Sequence, residues 1–173
     1  MVKLNIGCGT KLIKGYINVD IFKFKGVDIQ HDLNEYPYPF KENSATEIYC
    51  SHVIEHLNDP DKSLTQLYRI LKEKGKLIIK VPYFGHSLAF SSWQHKHYFT
   101  ISSFSLLDKK QEADWWIPVF SKVKIKVNFG RIYKYFPPTW ISMLLIKIYF
   151  PLYEDTFMRI LTPASELEVI LIK

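Results

Sequence analysis

The chain has 173 residues, of which 47% are hydrophobic, so its length fits one globular domain that buries roughly 70% of its unfolded surface. The net charge of +6 and the sequence pI near 9.1 come from lysines scattered among aromatic and aliphatic residues, so we expect no nucleic-acid partner. Two distant cysteines exclude a disulfide framework, and the N-terminal residues lack the charged and apolar regions of a secretory signal. We therefore expect a cytoplasmic protein.

The first half of the chain predicts short strands and one helix. Residues 2–6 are apolar and β-prone and stop at a glycine turn. An apolar stripe that starts at Leu64 and repeats at helical spacing predicts a helix over 61–75, with Gly75 as its stop signal. Further strands are predicted over 16–20, 27–33, 46–51 and 75–84, with a proline-punctuated loop over 35–45.

The second half predicts a loop, helices and two late strands. Residues 85–100 form a polar and aromatic loop, and Ser102 is the candidate N-cap of a helix over 102–113. Strict alternation predicts a half-exposed strand over 122–133, and the last strand is predicted over 166–173. This order of elements indicates an α/β fold, with an open, mostly parallel sheet in one domain and the late strands at one edge.

One apolar stretch, residues 140–153, raises the question of a membrane. Prolines flank it, Lys147 interrupts it, and its apolar runs are shorter than the about 20 residues that a spanning helix needs. A helix packed on the domain is the favoured interpretation, and an interfacial membrane anchor is the alternative.

The glycine turn "GCGT" after the first strand indicates that backbone approaches a ligand at the carboxyl ends of the strands. A dinucleotide fingerprint requires G-x-G-x-x-G, and counting from Gly7 the third glycine position holds Leu12. The turn therefore argues against nicotinamide or flavin dinucleotide chemistry.

Several motifs, in order and each at a predicted strand end, carry a resemblance to a known family. They are "LNIGCGT" (4–10), "INVD" (17–20), "HDL" (31–33), "YCSHVIEHL" (49–57) and "LYRILKEKGKLIIKVP" (67–82). Over residues 3–100 the chain resembles class I S-adenosylmethionine-dependent methyltransferases of the type 11 group. The resemblance implies a Rossmann-like sheet with helices on both faces. It also implies a cofactor-binding half over 1–84, with an acceptor loop, cap helices and the last strands over 85–173.

The resemblance implies a role for each part of the cofactor site. Backbone of the glycine turn would pass under the methionine part, where a residue without Cβ avoids a clash. Asp20 would accept hydrogen bonds from the ribose hydroxyls, since it is an acceptor-only side chain. Asp32 would accept from the adenine amine and Leu33 would cover its face. Ser51 and His52 would line the sulfonium and the acceptor. The expected set is Asn5, Gly7, Cys8, Gly9, Thr10, Asp20, Ile21, Asp32, Leu33, Ser51 and His52.

Two features depart from the family pattern. Asn5 stands where the family usually carries an acid, so a hydrogen-bond acceptor remains but no negative charge faces the cationic cofactor. Only nine residues separate Ile6 from Tyr16, whereas a parallel crossover commonly takes about a dozen or more. We therefore expect a shortened first crossover with a helix of a turn or two at most, and a compressed, open pocket.

The segment "HVIEH" places His52, Glu55 and His56 on one face of a helical start. Some methyltransferases for ubiquinone precursors and RNA 3′ ends bind magnesium or manganese through a similar E-x-x-E-H arrangement. Here His52 replaces the first acid, which favours a softer metal or none. We expect no metal, with S-adenosylmethionine as the cofactor.

The loop "SWQHKHYF" (92–99) carries His95 and His97 on the side from which an acceptor would arrive. A histidine near neutral pKa could take a proton from an acceptor hydroxyl or amine, although either could equally be a packed or surface residue. The candidate catalytic residues are His52, His56, His95 and His97.

The expected function is methyl transfer from S-adenosylmethionine to an oxygen, nitrogen or carbon of a small-molecule acceptor, by a monomer or homodimer. In-line displacement needs mostly alignment and a dry site. The alternatives are a non-catalytic S-adenosylmethionine-binding or regulatory domain and a membrane-associated, lipid-modifying methyltransferase.

Overall fold

The structure is a computed structural model that describes residues 1–109, 118–130 and 137–173. The strands are β1 Val2–Ile6, β2 Ile17–Asp20, β3 Ile29–Gln30, β4 Ala45–Ser51, β5 Leu71–Pro82, β6 Lys122–Phe129 and β7 Ala164–Ile172. The helices are α1 Pro60–Ile70, α2 Ser87–Phe90, α3 Ile101–Ser105, α4 Pro137–Tyr149, α5 Pro151–Glu154 and α6 Met158–Leu161, with a 3₁₀ turn over Ile54–His56.

The seven strands form one sheet in the order β3-β2-β1-β4-β5-β7-β6. Strands β1 to β5 pair in parallel, and β7 runs antiparallel to both of its neighbours, β5 and β6. The predicted α/β fold, with an open, mostly parallel sheet and its late strands at one edge, is confirmed. The parallel strands direct their carboxyl ends to the same edge, where ligands of open α/β sheets bind.

One face of this sheet carries the hydrophobic core. Ile6, Cys50, Ile79 and Val169 are paired in one row across four strands, and each is at most 1% exposed. Helix α1 covers this face with Leu67, which belongs to the same buried cluster. Fully burying each large aliphatic side chain contributes about 1.5–3 kcal/mol, so this face accounts for most of the sheet's stability.

The opposite face carries charged side chains that pair across strands. Lys80 Nζ lies 3.0 Å from Glu168 Oε2, and Lys76 Nζ lies 2.6 Å from Glu47 Oε2. The connection from β1 to β2, residues 7–16, contains turns and no helix. These charged side chains are 15–38% exposed and pair with one another across the strands.

The end of α1 differs from the prediction. The helix predicted over 61–75 ends at Ile70, and β5 begins directly at Leu71. A Cβ at Gly75 would lie 2.6 Å from the carbonyl oxygen of Lys72, so the glycine permits a tight bend inside β5. The prediction that Gly75 ends the helix was therefore wrong, because Gly75 lies inside β5 and allows its bend.

Capping chemistry sets two helix starts. Asp59 caps α1 and accepts a hydrogen bond from Lys62 N at 2.8 Å. Helix α3 starts one residue earlier than expected, because Thr100 rather than Ser102 is the N-cap and forms a capping box with Ser103.

Several predicted boundaries are shorter in the structure. The strand predicted over 27–33 keeps only the two residues of β3, which form an edge of the sheet. Of the helix predicted over 102–113, α3 covers the start, and residues 110–113 lie outside the described part of the chain. The strand predicted over 122–133 ends with β6, and residues 131–133 again lie outside it.

The apolar stretch 140–153 falls within α4 and α5, which are separated at Phe150 before Pro151. Within the described ranges, none of the helices has the length and apolar character needed to cross a bilayer.

Candidate functional site

The glycine turn after β1 requires its glycines. Gly7 has φ +63° and a Cβ there would lie 2.3 Å from Val53 Cγ2, so a side chain is excluded by both conformation and space. Gly9 has φ +50° with open space around it, and its N–H donates to Asp20 Oδ2 at 2.7 Å. The turn thus folds back over the ends of β1 and β2.

Asp20 is the fixed acidic group of the site. It is 7% exposed at the end of β2, and its Oδ1 accepts from Phe22 N at 3.0 Å while Oδ2 accepts from Gly9 N. A carboxylate oxygen has two lone pairs, so each oxygen keeps the capacity for one more donor. Backbone thus orients Asp20 as a bidentate acceptor.

A first cavity of ≈ 290 Å³ lies at the carboxyl ends of β1, β2 and β3. The predicted cofactor residues that line it are Gly7, Asp20, Ile21, Asp32, Leu33 and His52. Asp32 is held in a turn, since its Oδ1 accepts from Asn34 N at 2.9 Å. Leu33 is buried and supplies an apolar wall.

The first cavity also contains residues absent from the predicted site, notably His31 and Phe22. His31 Nε2 is buried and has no hydrogen-bond partner among the described residues. The motif "HDL" contained the signal for His31, since it precedes Asp32 at the end of β3.

A second cavity of ≈ 300 Å³ lies beside the first. The predicted residues Asn5, Gly7, Cys8, Ser51 and His52 line it, together with Lys11, Lys80 and Glu166. Gly7 and His52 therefore border both cavities. Lys80 and Glu166 have no local signal in the sequence, because they come from β5 and β7, which pair across a long separation in sequence.

Asn5 fixes the short crossover. Its Nδ2 donates to Lys11 O at 2.9 Å and to Asn18 Oδ1 at 2.8 Å, and Asn18 Oδ1 also accepts from Ile13 N at 2.9 Å. Two side chains thus satisfy backbone that a crossover helix would otherwise satisfy internally. Thr10 is exposed on this connection and lines neither cavity.

His52 has a left-handed backbone, with φ +55°, and lies between two carboxylates. Its Nε2 is 3.0 Å from Glu166 Oε2 and its Nδ1 is 3.3 Å from Glu55 Oε1. The hydrogen bond to Glu166, together with the nearby Glu55 carboxylate, raises the pKa of His52 to about 9. His52 is therefore protonated at neutral pH and acts as a donor, not as a general base.

The rings of His56 and His95 are in contact, although the two residues are far apart in the sequence. Their ring centroids are 4.7 Å apart. His56 Nδ1 is 3.2 Å from Gln94 O, and His95 Nδ1 is 2.7 Å from Ala89 O. His56 also lines the first cavity, with Gln94.

His97 has different surroundings. Its Nε2 is 3.0 Å from Leu57 O, and its backbone N–H donates to Glu55 O at 3.2 Å. The side chain and backbone of His97 thus anchor the loop to the 3₁₀ turn.

Comparison with known proteins gives a family match over part of the chain. Residues 23–79 match the methyltransferase domain of the type 11 group, a range that begins after Asp20. An uncharacterized protein of Methanocaldococcus jannaschii is 49% identical over 43 residues, which are 25% of this chain and 19% of that protein. This chain therefore spans a small part of the length of that relative.

Solved structures are similar over the whole chain. An S-adenosylmethionine-dependent methyltransferase from Archaeoglobus fulgidus has a TM-score of 0.67 at 22% identity, covering 99% of this chain and 85% of that one. Phosphoethanolamine N-methyltransferase 2 of Haemonchus contortus, in complex with S-adenosylmethionine, has a TM-score of 0.59 at 18% identity. That match covers 100% of this chain and 48% of the Haemonchus protein, about half of its length.

Proposed function

We propose that this chain is an S-adenosylmethionine-dependent methyltransferase and that it transfers a methyl group to an oxygen, nitrogen or carbon atom of a small molecule. The observation that carries the proposal is the pair of cavities that meet at Gly7 and His52. A nucleoside joined to an amino acid through a central sulfur has two polar ends, and two adjoining cavities suit this shape.

The first cavity suits the nucleoside end. Asp20 offers its carboxylate oxygens to the two ribose hydroxyls. Asp32 is available to the adenine edge, and Leu33 and Phe22 to its faces. Nucleoside binding here depends on hydrogen bonds to the Asp20 carboxylate, and hydrogen bonds to a charged group are stronger than those between neutral groups.

The second cavity suits the amino-acid end. It carries both signs of charge, since Lys80 and Glu166 line it. Lys80 suits the carboxylate and Glu166 suits the ammonium of the methionine part. Burial raises the pKa of the Cys8 thiol, so Cys8 stays neutral and contributes backbone and volume.

S-adenosylmethionine supplies an electrophilic methyl group when it is bound. The chain aligns the acceptor and removes its proton. When no cation is bound, His56 and His95 direct Nδ1 to carbonyl oxygens, which leaves each Nε2 lone pair able to accept a proton. The protonated His52 directs Nε2 at Glu166 and Nδ1 at Glu55, so it holds these two carboxylates in place beside the acceptor.

An acceptor screen tests this function. The purified chain is incubated with S-adenosylmethionine and a panel of small hydroxyl, amine and carbon acids, and S-adenosylhomocysteine and methylated products are measured by mass spectrometry. Calorimetric titration with S-adenosylhomocysteine runs in parallel. Binding with no turnover on any acceptor would favour the non-catalytic, regulatory alternative.

A second candidate function is methylation at a membrane surface, and a specific observation favours it. Large apolar side chains along α4 to α6 are 37–74% exposed, namely Trp140, Ile141, Met143, Leu144, Ile148, Tyr149, Leu152, Phe157, Ile160 and Leu161. Such a surface, with Lys147 and Arg159 beside it, suits an interface of anionic lipid.

Sedimentation with vesicles tests this second candidate. We expect binding to vesicles that contain phosphatidylserine, and weaker binding after the double substitution Trp140→Ser and Ile148→Ser. The matched control is Phe90→Ser, which removes an exposed apolar side chain from α2. Equal sedimentation of all three proteins, or none, contradicts membrane attachment through α4.

A further inference from the structure

The acceptor side of the site brings together three groups with metal-ligating atoms. Glu55, His56 and His95 each offer one such atom, and these atoms lie within 4.8 Å of one another. We propose that these three residues bind one divalent cation. From the sequence we expected no metal. There, "HVIEH" grouped Glu55 and His56 with His52, whereas His95 was assigned only to the acceptor loop.

Glu55 is the first reason. Its side chain is 1% exposed, and Oε2 has no hydrogen-bond partner among the described residues. Oε1 is 3.3 Å from His52 Nδ1, so the His52 ring occupies one side of the carboxylate. Buried carboxylates are normally paired or bound to metal, and a cation at Oε2 would satisfy the remaining oxygen.

The orientation of the two imidazoles is the second reason. Metal-ligating histidines characteristically donate their other ring N–H to a carbonyl or carboxylate, which fixes the tautomer. His56 and His95 both place Nδ1 at a backbone carbonyl oxygen, with Gln94 and Ala89 as the partners. Both rings therefore keep an unprotonated Nε2 for a ligand.

The cluster is held together by backbone contacts between its two parts. Lys96 N donates to Glu55 O at 2.8 Å, and His97 N donates to the same oxygen at 3.2 Å. His97 Nε2 adds a contact at 3.0 Å to Leu57 O. These bonds fix the loop that carries His95 against the 3₁₀ turn that carries Glu55 and His56, so His97 is a positioning residue.

The donor set indicates the class of cation. Two imidazole nitrogens and one carboxylate oxygen suit zinc, manganese, iron(II) or cobalt(II) better than magnesium or calcium, which prefer oxygen. Three protein ligands leave open positions. An open position would take an oxygen or nitrogen of the acceptor. This last step rests on the proposed function, whereas cation binding does not.

Cobalt(II) and zinc titrations test the site directly. Protein purified without a histidine tag is stripped with a chelator and titrated with each metal, with visible absorption reporting cobalt and calorimetry reporting zinc. We expect one equivalent to bind. His95→Gln and Glu55→Gln should weaken metal binding at least about 10–100-fold, because losing a residue that only hydrogen-bonds to a metal ligand already costs that much. His86→Gln is the matched control, because His86 lies in the same loop outside the cluster.

Circular dichroism and thermal melting check that each variant folds, and His95→Gln keeps the test valid if Glu55→Gln does not fold. No stoichiometric binding by the parent chain, or equal binding by the parent chain and His95→Gln, overturns the metal site. Calorimetry with S-adenosylhomocysteine separates the two proposals. A chain that binds the metal but not S-adenosylhomocysteine refutes the proposed function alone, and the reverse result refutes the metal site alone.

Discussion

At the scale of single residues, Asp20 is the most sharply testable group. Asp20→Ala should weaken S-adenosylhomocysteine binding by about 1–3 kcal/mol, because charge-assisted hydrogen bonds to the ribose are lost. Calorimetry measures this change. Asp61→Ala, at an exposed position in the first turn of α1, is the control and should leave the affinity unchanged. Equal affinity of a folded Asp20→Ala variant would remove Asp20 from the cofactor site.

His52 and Glu166 predict a dependence of stability on pH. The folded pKa of His52 is raised from 6.5 to about 9, so its stabilisation is full below pH 6.5 and is lost as pH rises through 9. Because the pair is partly exposed, we expect a loss of only about 0.2–1 kcal/mol. His52→Gln should abolish this decline in denaturant unfolding curves measured between pH 6 and 9.5. A decline of equal size in the variant would assign it to other groups.

At the scale of elements, the glycine turn depends on its contact with the start of the 3₁₀ segment. Gly7→Ala should destabilise the fold by about 1–3 kcal/mol, because the new Cβ meets Val53 Cγ2. The double variant Gly7→Ala and Val53→Ala should recover part of that loss. Gly9→Ala, at a site with open space, isolates the cost of positive φ. Chemical denaturation measures all three, and no recovery in the double variant would deny the steric cause.

Two histidines in the segment 85–100 should differ in role, with His95 needed for catalysis and His97 for anchoring the segment. His95→Gln should reduce turnover by about 10²–10⁴ while leaving S-adenosylhomocysteine affinity unchanged. His97→Gln should instead lower the melting temperature, since it loses the bond to Leu57 O. Kinetics, calorimetry and thermal melting are compared on the acceptor that the screen identifies. Turnover at the parental rate in both variants would show that this segment supplies no catalytic residue.

At the scale of the whole molecule, the sheet has one apolar and one charged face. Two neighbouring residues of β7, one on each face, allow their contributions to stability to be compared. Leu167 is fully buried and Glu168 pairs with Lys80 on the other face. Leu167→Ala should lower the free energy of unfolding by about 2–5 kcal/mol. Glu168→Ala should lower it by no more than about 1 kcal/mol, and less at high salt. Denaturation of both variants measures the contrast, and similar losses would contradict a single-sided core.

The sequence by itself determined the strands β1, β2 and β4, the glycine turn and the position of Asp20. These features depend on local signals, namely apolar runs, turn residues and the polar residue that ends a strand, and such signals do not need a partner. The motif order predicted the strand ends that border the two cavities. Element ends were less predictable, as at Ile70, because pairing of the next residue with β4 replaced the helix.

Only the tertiary structure decided which chemical groups meet. Glu166 reaches His52 across 114 residues, because β7 inserts antiparallel between β5 and β6. His95 reaches His56 through a loop whose backbone bonds to Glu55. Neither contact has a local signal, since each depends on how distant segments pair and not on the residues beside it. The sequence therefore determined which candidate residues the chain carries. The pairing of β7 placed Glu166 beside His52, and the bonds between the His95 loop and Glu55 brought Glu55, His56 and His95 into one cluster.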